Sequence, residues 1–277
     1  MTLSARNNIF KGGIIVSSLS LVLCAAASLK TIPMYAQMEG EAIRRSAGFF
    51  QEIFGPLFGA QLLAVHCCIL ALVAYSFFAI VLTYYYFEKT QSPEVLFVVF
   101  FAASLSPEVL RLLLPLGQVY EIPLLYTLTA SRVILFARNF GIFSLFIASV
   151  FAAGYAVQRQ RTVVMLIVVM ALIIAIGVPI DTQSWDSSFN VIVGYVPMFK
   201  LIEVGTFFVT AISFFIAAWS RGSREFIFIG AGSVLALLGR AILLSADTWP
   251  SLPIALAFLA IGTWLVCTYL HKIYLWL

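Results

Sequence analysis

Eight long apolar runs constrain the fold of this chain more than any other feature of its sequence. Roughly 20 apolar residues in a helix cross a bilayer core of about 30 Å. Eight segments reach that length: about 12–29, 57–83, 93–116, 136–157, 162–180, 199–219, 225–246 and 252–275. Stretches such as Thr162–Val178 are apolar on every face, unlike the alternating strands of a barrel. Because only a helix satisfies its own backbone in lipid, the runs predict an all-α fold, a polytopic integral membrane bundle of eight transmembrane helices.

The composition excludes several other classes of protein. Hydrophobic residues make up 62% of the 277 residues and charged residues 10%, whereas about 25% of an average soluble domain is charged. Such a chain has too little polar surface for a water-soluble enzyme domain, and it is too apolar to be disordered. The net charge of +4 is small and the basic residues are scattered, so we expect no nucleic-acid partner. The expected surroundings are a lipid bilayer, and the compact loops are typical of a bacterial inner membrane.

The basic residues of the short loops predict the orientation in the membrane. With eight spans, one side carries Arg6, Lys11, Lys89, Arg159, Arg161, Arg221, Arg224 and Lys272. The other side carries most of the loop carboxylates, together with Lys30, Arg44 and Arg45. Because cytoplasmic loops are enriched in lysine and arginine, the N- and C-termini are predicted to be cytoplasmic.

We expect a single membrane domain over residues 1–277, with an N-terminal anchor followed by a seven-helix bundle at 57–277. Residues 12–29 are predicted to be an uncleaved signal-anchor, although Ala25–Ser28 also fits a cleavage site that would leave the N-terminus outside. Residues 30–56 are predicted to be an outer loop. Its apolar groups share one helical face and predict an interfacial helix. The alternative is an early start to span two. The apolar groups are Phe49, Phe50, Ile53, Phe54, Leu57 and Phe58.

No catalytic or metal-binding motif is visible in the sequence. The four cysteines fall within predicted spans and make no CxxC pair, and there are only two histidines, His66 and His271. A zinc site needs more such ligands than this, and neither a nucleophile motif nor a phosphate-binding glycine loop occurs. We therefore predict no cofactor and favour a function other than catalysis.

The informative residues are six charges that fall inside or beside predicted spans: Glu108, Arg111, Arg132, Arg138, Glu203 and Arg240. Each costs about 2.5–3.5 kcal/mol near the centre of a membrane helix. With a rise of about 1.5 Å per residue, all six lie in the outer half of the bilayer. Their polar neighbours follow helical spacing, as in Ser104, Glu108 and Arg111, so each stripe faces the bundle interior rather than lipid.

Two further features accompany these charges. Pro107 removes a backbone donor and frees the carbonyl of Ala103, which membrane proteins tolerate where it lines a cavity or meets a polar partner. Residues 123–157 would make a helix of about 52 Å, too long for one span, so a break or an extended outer portion is predicted around 123–137.

We infer an outward-facing polar cavity with a net charge of +2 that binds an anionic small molecule or a lipid headgroup through its arginines. The alternative is structural: closed ion pairs Glu108–Arg111 and Glu203–Arg240, with Arg132 in the headgroup layer. Asn139 and Gln61 are further candidates, and Lys200 is expected to reach the outer surface.

Three functions fit this cavity. The first is a sensory or receptor-like module with a separate signalling subunit, because seven helices after an anchor, with an outer pocket, is the layout of bacterial seven-helix signalling domains. The second is a transporter, or a subunit of one, for an anionic or lipid substrate, although no inverted repeat is visible. The third is a membrane-embedded enzyme acting on a phospholipid-like substrate, with Glu108 or Glu203 as acid or base.

Overall fold

The computed structural model describes residues 3–45, 61–88, 90 and 92–275, and about 84% of the chain is helical. In chain order the α-helices are α1 (Leu3–Arg45), α2 (Leu62–Phe87), α3 (Pro93–Ala103), α4 (Leu113–Val119), α5 (Leu124–Ala152), α6 (Gln160–Gly177), α7 (Val196–Arg221), α8 (Glu225–Ser245) and α9 (Ser251–Leu275). Two 3₁₀ helices cover Ser106–Leu112 and Val157–Arg159. Strands β1 (Ile180–Trp185) and β2 (Val191–Val193) form an antiparallel hairpin.

Within the described residues, eight helical segments are long and apolar enough to cross a membrane, which confirms the predicted all-α bundle of spans. The third of them, Pro93–Gly117, combines α3, a 3₁₀ helix and the start of α4. The β-hairpin was not expected from the sequence, which predicted an all-α fold. We call the end of the bundle that carries it the hairpin end; the opposite end carries the loops 88–92, 153–159 and 222–224.

The interior of the bundle is built around α3 and α5. Helix α3 packs against α2 and α5, and the 3₁₀ helix that continues it contacts α1, α2 and α5. Helices α7 and α8 pack side by side, α9 packs on α8, and α6 packs chiefly on the outer face of α5. The third span is the most enclosed, with 78% of its most apolar window buried, so its charged residues lie inside protein rather than in lipid.

Helices α8 and α9 approach closely because glycines face each other. A Cβ atom on Gly262 would lie 2.6 Å from the carbonyl oxygen of Gly232, and one on Gly239 would lie 2.7 Å from that of Ala255. Membrane helices lack a hydrophobic drive to associate, so close backbone approach through small residues supplies the packing energy.

The third span changes from an α-helix to a 3₁₀ helix near Pro107, where the sequence predicted an interrupted hydrogen-bond ladder. The α-helix ends at Ala103 and the chain continues as the 3₁₀ helix Ser106–Leu112, which contains Pro107. Ser76 on α2 donates a hydrogen bond to the carbonyl of Ala102 (2.7 Å) and shares another with Ser106 (2.7 Å). A hydroxyl from a neighbouring helix therefore replaces part of the interrupted ladder.

Two expected boundaries differ from the structure, and a third expectation is not tested by it. Helix α5 runs without a break from Leu124 to Ala152, about 43 Å at 1.5 Å per residue. Of the two alternatives predicted for residues 123–137, the break is therefore wrong, and the helix has an extended portion there instead. Helix α1 continues to Arg45, past the expected end at residue 29. The interfacial helix expected at 49–58 lies outside the described residues, so it stays a prediction.

Candidate functional site

The hairpin carries a tight turn that enters the bundle. One carboxylate oxygen of Asp186 accepts hydrogen bonds from the backbone N–H groups of Ser188 (3.0 Å) and Asn190 (2.8 Å). Phe189 between them takes a left-handed conformation (φ 56°) and is 3% exposed. Its ring packs into an apolar cluster with Ile69, Val109 and other residues of α1, α2 and the 3₁₀ helix. The turn is thereby anchored in the protein interior.

Two arginines, the buried Arg111 and the partly buried Arg138, bind the same turn. Arg111, which is 1% exposed, donates a hydrogen bond to the carbonyl of Ser188. Arg138 donates to the side-chain oxygen of Asn190 (2.7 Å), and the amide nitrogen of Asn190 donates to the carbonyl of Leu244 on α8 (2.9 Å). The hairpin therefore covers the arginine cluster and connects α5, the 3₁₀ helix and α8.

Glu108 and Arg138 form the tightest ion pair in the described part of the chain. Arg138 donates from Nε and Nη2 to the two carboxylate oxygens of Glu108, both at 2.7 Å. Arg111 lies 3.6 Å from the same carboxylate. This two-pronged geometry is the strong form of an arginine–carboxylate contact, and it neutralises Glu108, which is only 1% exposed.

A second, looser pair joins α8 and α7. Arg240 is 1% exposed and lies 3.4 Å from a carboxylate oxygen of Glu203, whose side chain is 45% exposed. Arg240 also donates to the carbonyl of Arg138 (3.0 Å). The expected pair Glu203–Arg240 is therefore present, whereas Glu108 binds Arg138 more closely than its expected partner Arg111.

These contacts leave guanidinium donors unused. Among the described residues, Nε and Nη1 of Arg111 and Nε of Arg240 are buried and have no hydrogen-bond acceptor. A buried donor without a partner costs about 1–3 kcal/mol, and more when it is charged. Arginines held in this way are suited to receive the oxygens of an anion.

Both arginines line one cavity of about 640 Å³ at the hairpin end. Its charged lining residues are four cations, Arg111, Arg138, Arg240 and Lys200, and two carboxylates, Asp186 and Glu203. The rest of the wall is mostly apolar and comes from α5, α7, α8 and the hairpin. A volume of this size is within the range of small-molecule sites.

Four of the six predicted site residues line this cavity: Arg111, Arg138, Glu203 and Arg240. Glu108 does not line it but lies behind Arg138 as its counter-ion. Arg132 was expected at the same site and is not there. It donates instead to the carbonyls of Ala175 (2.6 Å) and Val178 (2.5 Å), where α6 ends, because a cation is stabilised by the free carbonyls of a helix C-terminus.

The expectations for three further polar residues have mixed outcomes. Asn139 lines the cavity, as considered. Gln61 does not, since its side chain accepts a hydrogen bond from Trp249. Lys200 lines the cavity as well as being exposed, so its assignment to the surface alone was incomplete.

The hairpin residues Asp186 and Asn190 were missed as site residues. Their cluster of Asp, Ser and Asn is typical of a turn, and that signal could have placed a turn there. Nothing in the local sequence indicates that the turn folds inward onto two arginines.

The described residues contain no group of three His, Cys, Asp or Glu side chains that could hold a metal ion. His66 is fully buried between α1 and α2, where its ring shares a hydrogen bond of 2.7 Å with Ser28. What this site can do chemically is to bind an anion with oriented, partly dehydrated guanidinium groups.

The class of protein defined by this fold and site is a multi-pass membrane protein, whose described residues form eight helical segments long and apolar enough to span a membrane and an arginine-lined cavity at one end. Comparison of the chain with models of protein families, with curated proteins and with solved structures finds no match.

Proposed function

We propose that this protein is a receptor-like membrane module that binds an anionic ligand in the cavity at the hairpin end, and that this end faces outward. The observation that carries the proposal is the pair of buried arginines, Arg111 and Arg240: both residues line one cavity, and the Nε group of each has no acceptor among the described residues. An anion that enters the cavity would accept hydrogen bonds from these guanidinium groups. Because folding has already removed water from them, binding adds little further desolvation cost on the protein side.

Binding without transport is favoured by what lies below the cavity. Ile142 is in the cavity wall and also belongs to the main apolar core. That core continues through residues such as Leu145 and Ala236 to Phe226 at the opposite end. The described residues of this core are mostly apolar, which disfavours passage of a charged ligand, since membrane transport sites are lined by polar groups or opened backbone. A receptor of this kind needs a separate partner for its signal.

The test is direct binding to the full chain in nanodiscs of phosphatidylcholine. The probes are acetate, inorganic phosphate and octanoate, with octylammonium as the cationic counterpart of octanoate. We expect saturable binding of at least one anion and none of octylammonium. At 100 times its dissociation constant, the ligand should add about 2.7 kcal/mol to the free energy of unfolding.

Arg240→Gln should weaken this binding about 10- to 100-fold, because a hydrogen bond to a charged group contributes about 1.5–3 kcal/mol. The matched control is Arg161→Gln, an exposed arginine at the opposite end, which should bind as wild type does. Equal binding of octylammonium, or undiminished binding by Arg240→Gln, would contradict the proposal. Uptake of a bound anion into proteoliposomes would show a transport function instead of the proposed receptor-like one. Turnover of a labelled phospholipid would show an enzymatic function instead.

A further inference from the structure

The wall of the cavity is apolar beyond the arginine cluster, and this carries an inference about the chemical class of the ligand. On one side it is formed by Ile134, Leu135 and Ile142 of α5, each less than 10% exposed. On the other side Val196, Phe199 and Ile202 of α7 complete it. A small inorganic anion would use the guanidinium groups but would leave this apolar wall facing water, which is unfavourable.

The mouth of the cavity is also bordered by apolar residues. Ile192 on β2 and Val196 at the start of α7 are in the wall and are 46% and 43% exposed. The next turn of α7 presents Leu201 and Val204, which are 72% and 51% exposed. Because α7 is long and apolar enough to span a membrane, we expect these side chains to face lipid, so that the apolar wall of the cavity continues into the lipid-facing surface.

The cavity combines buried cationic groups with this apolar wall. Lys200 and Glu203 lie at its exposed edge, while Arg111 and Arg240 are buried. A ligand that satisfies both parts needs an acidic group for the arginines and a hydrocarbon chain for the wall. Glu203 close to Arg240 also limits the negative charge that the site accepts.

We propose that the ligand is a single-chain anionic amphiphile. Its carboxylate or phosphate binds Arg111 and Arg240, and its chain lies between α5 and α7 and leads toward the bilayer. This inference rests on the proposed function and narrows it to one class of ligand. Fatty acids and lysophospholipids with a free phosphate share the chemistry.

The experiment compares anions that have one headgroup and chains of increasing length. Acetate, butanoate, hexanoate and octanoate are titrated against the full chain in a non-ionic detergent, and the free concentration is measured by equilibrium dialysis. The affinity should rise about fourfold for each methylene that leaves water. Octyl phosphate and inorganic phosphate are compared in the same way, to measure the effect of the chain with a phosphate headgroup. Comparison of octyl phosphate with octanoate shows which headgroup the site prefers.

A cavity-filling variant tests where the chain lies. Ala241 lines the cavity on α8, so Ala241→Phe should lower octanoate affinity at least tenfold and change acetate binding little. Ala231→Phe, on the exposed face of the same helix, is the matched control and should bind octanoate as wild type does. Thermal unfolding without ligand checks that both variants are folded.

The outcomes separate this inference from the function on which it rests. Equal affinities for acetate and octanoate, each abolished by Arg240→Gln, would overturn the amphiphile and leave the anion-binding function in place. Octanoate binding unchanged by Ala241→Phe would also overturn it. No binding of any anion, or equal binding of octanoate and octylammonium, would overturn both.

Discussion

At the scale of single residues, charged residues are so scarce in the predicted spans that those few can be identified from the sequence as candidate site residues. Glu108, Arg138 and Arg240 are on different segments of the chain, yet each lies about 21–25 Å from the end of its helical segment at the opposite end of the bundle. Depth along a helix follows from counting residues, so this common level was predictable. Which arginine binds Glu108 was not, because it depends on how the helices are rotated against each other.

Glu108→Gln should destabilise the protein by about 3–5 kcal/mol. It removes the only carboxylate within ion-pair distance of Arg138 and Arg111 in the described part of the chain, and so leaves the buried Arg111 and the partly buried Arg138 uncompensated. The measurement is thermal or denaturant unfolding in a neutral detergent. Glu88→Gln, at an exposed site near the opposite end, should change stability by less than about 0.5 kcal/mol. Equal stabilities of the two variants would show that the buried pair is not needed for the fold.

At the scale of elements, helices were predictable and the hairpin was not. An apolar run of 20 residues has one stable backbone in lipid, whereas the segment 180–193 is held by contacts that are distant in sequence. Those contacts are the Arg111 and Arg138 hydrogen bonds to the turn and the burial of Phe189. An isolated two-stranded hairpin is only marginally stable, so the conformation of this hairpin depends on its contacts with the bundle.

Phe189→Ala should release the hairpin from the bundle. Removing a buried phenylalanine typically costs about 3–5 kcal/mol, and here the loss falls on an element with few other apolar anchors. Hydrogen–deuterium exchange should become much faster in residues 180–193, with a smaller change in the rest of the chain. The control is Phe208→Ala on α7, where the ring is 60% exposed. Unchanged exchange in the hairpin would contradict the anchoring role of Phe189.

Gly262→Ala should separate α8 from α9. The new Cβ would lie 2.6 Å from the carbonyl oxygen of Gly232 and 2.7 Å from the backbone nitrogen of Ala236, and neither backbone atom can move aside cheaply. We expect a loss of about 1–3 kcal/mol, the usual cost of overpacking, measured as a lower Tm in detergent. Gly205→Ala is the matched control, since no atom lies within 4 Å of its Cβ. A Tm for Gly262→Ala as high as that of the control would mean that the two helices are not in close contact.

At the scale of the whole molecule, the polar cavity lies at one end and an apolar core fills the bundle toward the other. The loops at the opposite end carry Arg159, Arg221 and Arg224, so the positive-inside bias predicts that the hairpin end faces outward. In that orientation, the ligand that we propose would enter the cavity from the outer leaflet or from outside the membrane.

Cysteine accessibility should reveal this orientation. In a chain whose four cysteines are replaced by alanine, Ser187→Cys at the hairpin end should react with a membrane-impermeant maleimide in intact cells. Gln158→Cys at the opposite end should react only after the membrane is permeabilised. Both positions are exposed in the structure, so a difference reports sidedness rather than burial. Labelling of Gln158→Cys alone in intact cells would reverse the proposed orientation.

The sequence by itself determined that the described part of the chain folds into apolar helices long enough to span a membrane, and that Glu108, Arg138 and Arg240 lie at similar distances along their helical segments. These properties follow from the length of apolar runs and from the period of the helix, which are local. The tertiary structure decided that Arg138 neutralises Glu108, that Arg132 leaves the site to bind the end of α6, and that Arg111 and Arg240 keep donors free in one cavity. Those outcomes depend on helix rotation and on the inward turn at Phe189, because contacts between segments far apart in the chain are set by packing and not by any local pattern.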